Sequence, residues 1–165
     1  ETDLPVVRAS AAALSRIAGP EALPVLLPLA EQPGERQIPA ISGLADCRHL
    51  AAVKALSRLL LARPEEPVAK AIARSLGNIA NAWAWQTDSL ASRPDRAAIR
   101  VAVAGALVDG FVAYRGEARE ACERSLMIIA APEIVVLVQQ AQDRSPAEAA
   151  ALQGLVARLA ASPVK

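Results

Sequence analysis

VAKAIARSLGNIA, residues 68–80, reads as one face of a helix, with Ile72, Leu76 and Ile79 apolar at i, i+4 and i+7 and Ala69 and Ala73 beside them. Three other segments line up on it: VVRASAAALSRIA (6–18), RQIPAISGLADCR (36–48) and IRVAVAGALVDGF (99–111). The aligned leucines are Leu14, Leu44, Leu76 and Leu107, and they recur at nearly even intervals. Four and three positions before each stand Ser10/Ala11, Ala40/Ile41, Ile72/Ala73 and Val103/Ala104. Small residues at such positions let neighbouring helices approach closely. A regular recurrence on this scale marks a repeat architecture, in which no unit buries its apolar face alone.

A second helix fits behind each of these. Leu23, Leu26 and Leu29 trail Leu14 at the same intervals at which Val53, Leu56 and Leu59 trail Leu44. Gly19-Pro20-Glu21 and Ala131-Pro132-Glu133 place proline in a first helical turn with an acid behind it. Ser145-Pro146-Ala147-Glu148 has the form of a capping box. With Leu137 as a fifth marker, the spacing predicts one all-α domain over 1–165. It is an α-solenoid of about five antiparallel helix pairs with a period of about 31 residues, at 5–33, 36–63, 65–92, 95–130 and 132–161. A rival phase exists. ERSLMIIAAPEIVVL (123–137) aligns with AALSRIAGPEALPVL (12–26), Leu126 on Leu14, which makes 118–130 a first helix and the pair before it overlong. The even spacing favours the Leu107 phase.

The pattern V-x-x-A-x-A-x-x-L-G-x-I in residues 68–79 resembles the short HEAT-like repeats named after phycobilin lyases. The resemblance covers nearly the whole chain, and because its motif consists of small and aliphatic residues it implies a fold and hardly a function. A bacterial source goes with it. It also implies an alternative function, a chromophore- or cofactor-handling lyase-like protein. There Trp83 and Trp85 would form an aromatic wall for a linear tetrapyrrole, and Arg93 and Arg96 would meet its propionates.

Composition excludes several classes. The chain carries 18 Lys and Arg against 17 Asp and Glu, evenly divided between its halves, so the basic stripe of a nucleic-acid binder is missing and no nucleic-acid partner is expected. No uninterrupted apolar stretch approaches the roughly 18 residues of a membrane span. Cys47 and Cys122 lie far apart in the chain without a metal-binding spacing, and His49 is the single histidine. A lone histidine reads as a helix cap before it reads as a general base. No catalytic constellation, metal-ligand set or cofactor loop stands out, so no cofactor is expected. Glu1 is not a natural start residue, which points to a trimmed or processed chain whose targeting signal is out of view, so the compartment is open with the cytoplasm slightly favoured; end helices with few charges, such as 132–138, would suit a segment of a longer solenoid.

All four aromatic residues, Trp83, Trp85, Phe111 and Tyr114, fall in one window. Trp85 stands behind Leu76 in the place that Leu23 and Val53 hold behind their own marker leucines, and is predicted to be core. Trp83 lies about 200° round a helix from it and is predicted to be exposed. The apolar pattern then fails over QTDSLASRPD (86–95), and local rules tend to break at functional sites. The expected function is therefore a non-enzymatic scaffold that binds a protein or peptide on the solenoid surface. Trp83, Arg93 and Arg96 are its expected contact cluster, since Trp and Arg dominate interface hot spots.

Overall fold

A computed structural model describes residues 3–86, 93–129 and 132–161. The described residues form helices and connecting turns, with no strand among them. In chain order the helices are α1 (Leu4–Ala18), α2 (Leu23–Glu31), α3 (Gln37–Leu44), α4 (Leu50–Leu61), α5 (Glu66–Ile79), α6 (Arg96–Ala113), α7 (Gly116–Ile129), α8 (Glu133–Arg144) and α9 (Ala149–Ala161). Short 3-10 turns at Gly19–Ala22, Ala84–Gln86 and Pro146–Glu148 join them.

Local chemistry sets the ends. Asp3 caps α1 by accepting the Val6 N–H at 3.2 Å, and Gly19 stops it with φ +55°, a conformation that favours glycine. Pro20 and Pro146 open 3-10 turns, not α-helical first turns, and the α-helix begins only at Leu23 and Ala149. The capping box expected at Ser145 does not form. The Glu148 carboxylate faces Arg115 and Arg119 instead, and these charge-assisted bonds are stronger than a neutral bond to a backbone amide.

The contacts run in two rows. α1 packs on α3, α3 on α5, and α5 on α7; α4 packs on α6, and α6 on α8. The rows are tied together where α2 meets α3, α4 meets α5, and α6 meets α7. One docking geometry recurs along the first row. The buried Ser75 hydroxyl donates to Ile41 O at 2.9 Å, and the buried Ser125 hydroxyl donates to Ala73 O at 2.9 Å. Ser75 and Ser125 each immediately precede a leucine, and their acceptors hold one common position ahead of the corresponding leucine of the previous helix. Gly43, which precedes Leu44, docks on Ala11 in the same way, so tightly that a Cβ there would fall 2.3 Å from that of Ala11. Serine hydroxyls that bond a backbone carbonyl, and a glycine with no side chain, are what such close approach permits.

Leu126, not Leu107, lies on the helix that docks on α5 in this way, and residues 116–129 stack on α5 as in the rival alignment. Leu107 is wholly buried, but on α6, in the row of α4 and α8. Its regular spacing from Leu76 is a coincidence of two apolar helices. Leu44, Leu76 and Leu126 are also wholly buried, whereas Leu14 is only partly so because α1 has a row neighbour on one side alone among the described residues. The second helices keep a common pattern: Leu23, Leu26 and Ala30 of α2 match the buried Val53, Leu56 and Leu60 of α4.

Candidate functional site

The leucine register also orders the residues that face away from the core. Counting from Leu14, Leu44, Leu76 and Leu126, the positions six and two before each marker are Arg8 and Ala12, Ile38 and Ser42, Lys70 and Arg74, and Glu120 and Arg124. These positions are four apart and share one helix face. In the structure all but Glu120 line a groove that crosses α1, α3, α5 and α7. Its larger hollow, about 600 Å³, has Arg8, Lys70 and Arg74 in its lining and no carboxylate. Arg74 and Asn78 continue into a second hollow of about 260 Å³ with Arg124 and Ile128.

The groove's cations differ in how they are held. Lys70 pairs with Glu117, and Arg124 with Glu120 at 2.6 Å. Hydrogen bonding from Lys70 and its positive charge hold the Glu117 carboxyl below the usual carboxylate range. Arg8 makes no ion pair among the described residues. The apolar floor comes from Ala9, Ala12, Ala71 and Ile38.

The two tryptophans separate as the register predicts. Trp85 is 0% exposed, and its indole N–H donates to Ile79 O at 2.6 Å, so the ring's polar edge is satisfied inside the core. Trp83 is 71% exposed. The residue before it, Ala82, donates its N–H to Ile128 O, which places Trp83 next to the α7 end of the groove. Phe111 is buried under the Arg119 guanidinium, 4.9 Å from the ring centre, and the Tyr114 hydroxyl donates to Leu60 O at 2.8 Å. Both fill space between α4, α6 and α7.

Arg93 sits against Trp85, the buried tryptophan. Its guanidinium lies 5.3 Å over the Trp85 ring and bonds both Asp95 oxygens, at 2.9 and 2.5 Å. The hydrogen bond from Arg93 lowers the Asp95 pKa, so this clamp persists through neutral pH and opens only on acidification below the usual carboxylate range. Arg96 begins α6 and is half-buried, its Nε without a hydrogen-bond partner among the described residues. Residues 87–92, the centre of the stretch where the apolar pattern fails, lie outside the described residues.

The groove residues Arg8, Lys70, Arg74 and Arg124 escape a reading based on the Leu107 phase. That phase sets Val101 and Gly105 beside them and breaks the stripe. His49 is the N-cap of α4, its Nδ1 accepting the Ala51 N–H at 3.3 Å. Burial pushes the Cys122 thiol up to about 12, which keeps it protonated and inert at neutral pH. Among the described residues no group of His, Cys, Asp and Glu side chains could hold a metal, and no helix is long and apolar enough to cross a membrane. Comparison with family models, with curated proteins and with solved structures found no match.

Proposed function

We propose that this chain is a HEAT-like α-solenoid acting as a non-enzymatic protein-interaction scaffold, and that its groove holds an extended acidic segment of a partner protein. In this reading the pairs are α1 with α2, α3 with α4, α5 with α6 and α7 with α8, and α9 begins a fifth. The third pair is overlong because it carries the 80–95 segment and the 18-residue α6. A solenoid offers a continuous surface built from equivalent positions of successive repeats.

One observation carries the reading: a 600 Å³ hollow lined by Arg8, Lys70 and Arg74, with alanine and isoleucine between them and no acidic side chain. Spaced cations over an apolar floor suit a chain of alternating carboxylates and small apolar residues. They steer association by charge and hold the partner by shape. Trp83, exposed at the groove's end, supplies the kind of large aromatic anchor that dominates binding energy. The lyase-like alternative needs Trp83 and Trp85 as a shared wall, and the buried Trp85 under Arg93 speaks against that arrangement.

The test is a polarisation titration with two labelled peptides of equal length, one of Asp and Glu interleaved with Ala and Leu, the other with Lys in place of the acids. The acidic peptide should bind saturably, and the double variant Arg8→Glu, Arg74→Glu should weaken it at least tenfold. A random 20-base-pair duplex at physiological salt should show no micromolar binding, because the chain as a whole carries 18 Lys and Arg against 17 Asp and Glu. Equal binding of both peptides, or tight salt-sensitive duplex binding, would overturn the proposal.

A further inference from the structure

Where the turn after α1 meets the turn before α4, a separate cavity of about 430 Å³ gathers Arg16, Arg48, His49 and Arg93 around a single lining acid, Asp46. Ser15 also lines it. Two polar groups here stand out. The Ser15 hydroxyl, on a residue 1% exposed, and the Nε of Arg48 are both buried without a hydrogen-bond partner among the described residues. Buried polar atoms are almost always paired, so two unpaired donors on one cavity point to a ligand that accepts from them.

The other cations are held in place. Arg93 is fixed by the Asp95 carboxylate on one side and the Trp85 ring on the other. Arg16 leans on Asp46 at 3.4 Å. The Ala51 N–H donates to His49 Nδ1, which leaves the proton of the neutral ring on Nε2 as a further donor. His49 also marks the N-terminus of α4, a 12-residue helix whose dipole adds positive potential at its start. With Asp46 on Arg16 and Asp95 on Arg93, the three guanidiniums leave one positive charge in excess, that of Arg48, and the donors outnumber the acceptors.

We infer that this cavity is a binding site for a small phosphomonoester. A phosphate ester is close to dianionic at neutral pH and presents three acceptor oxygens, which matches converging guanidiniums, a hydroxyl and an imidazole N–H. The cavity falls within the roughly 300–1,000 Å³ of small-molecule sites, so it has space for an organic group beyond the phosphate. Nothing in this inference depends on the peptide groove, since none of the groove's cations lines this cavity.

Calorimetric titration of the full chain with phenyl phosphate tests it, with inorganic phosphate and benzoate as the other two arms. Phenyl phosphate should bind at one site per chain, more tightly than inorganic phosphate, and benzoate at least tenfold more weakly. Arg48→Gln should weaken phenyl phosphate binding at least tenfold, and Ser15→Ala, which suits a helix and leaves folding intact, at least threefold. Arg8→Gln, in the groove, should leave it unchanged. The inference is overturned by the absence of saturable binding up to millimolar phenyl phosphate, by benzoate binding equally well, or by affinity that Ser15→Ala does not alter.

Discussion

Trp85→Ala is expected to lower the unfolding free energy by about 3–5 kcal/mol, while Trp83→Ala changes it by less than about 0.5 kcal/mol. The two rings are neighbours but one in the chain, yet one is 0% and the other 71% exposed. Removing the buried indole leaves a cavity in the core beside Ile79. It also strands the Ile79 carbonyl, which accepts the indole N–H, and takes away the surface on which Arg93 rests. The bonds Trp83 makes among the described residues are backbone ones, its N–H donating to Asn81 Oδ1 and its carbonyl accepting the Gln86 N–H. Urea denaturation of the two single variants measures the difference directly. Equal losses would put both rings in the core and leave the groove without its anchor.

Leu126→Ala is the second large effect, expected at about 2–5 kcal/mol, with Leu14→Ala costing clearly less. Leu126 is wholly buried where α7 stacks on α5, whereas Leu14 lies on α1, with α3 alone beside it in the row. Both are leucines on amphipathic helices with similar neighbours in sequence. Only their places in the row differ. The same denaturation series decides it, and an equal cost for both would mean that burial at these sites is not set by stacking.

Much of this was legible in the residues, and the part that was not has a physical cause. Apolar periodicity and small residues around Leu44 and Leu76 are enough to give helices, their inward faces and the segregation of Trp83 from Trp85. Periodicity cannot say which helix touches which. α6 and α7 both carry a buried leucine on an Ala-rich face, and the more even spacing selects α6, whereas the helix docked on α5 through its serine is α7. The better signal is the serine before the leucine: Ser75 and Ser125 share it and Leu107 lacks it, with Ala106 in its place. The cavity at Arg48 was illegible for another reason. Ser15, Arg48 and Arg93 come from three separate stretches, and their meeting depends on how the turns between helices pack. The polar break around Arg93 singles it out, but with Trp83 as companion, when its contacts are Trp85 and Asp95.

The stacking of α7 on α5 supports the groove and the proposed repeat alike, and one proton pair reports on it. Gly77 and Ser125 meet at the crossing, where a Cβ on Gly77 would lie 2.6 Å from that of Ser125. A nuclear Overhauser spectrum of the labelled protein should show a strong cross-peak between Gly77 Hα and Ser125 Hβ. No cross-peak there, with strong ones from Gly77 to the Ala104–Leu107 side chains instead, would return α6 to the row of α5 and dissolve the groove.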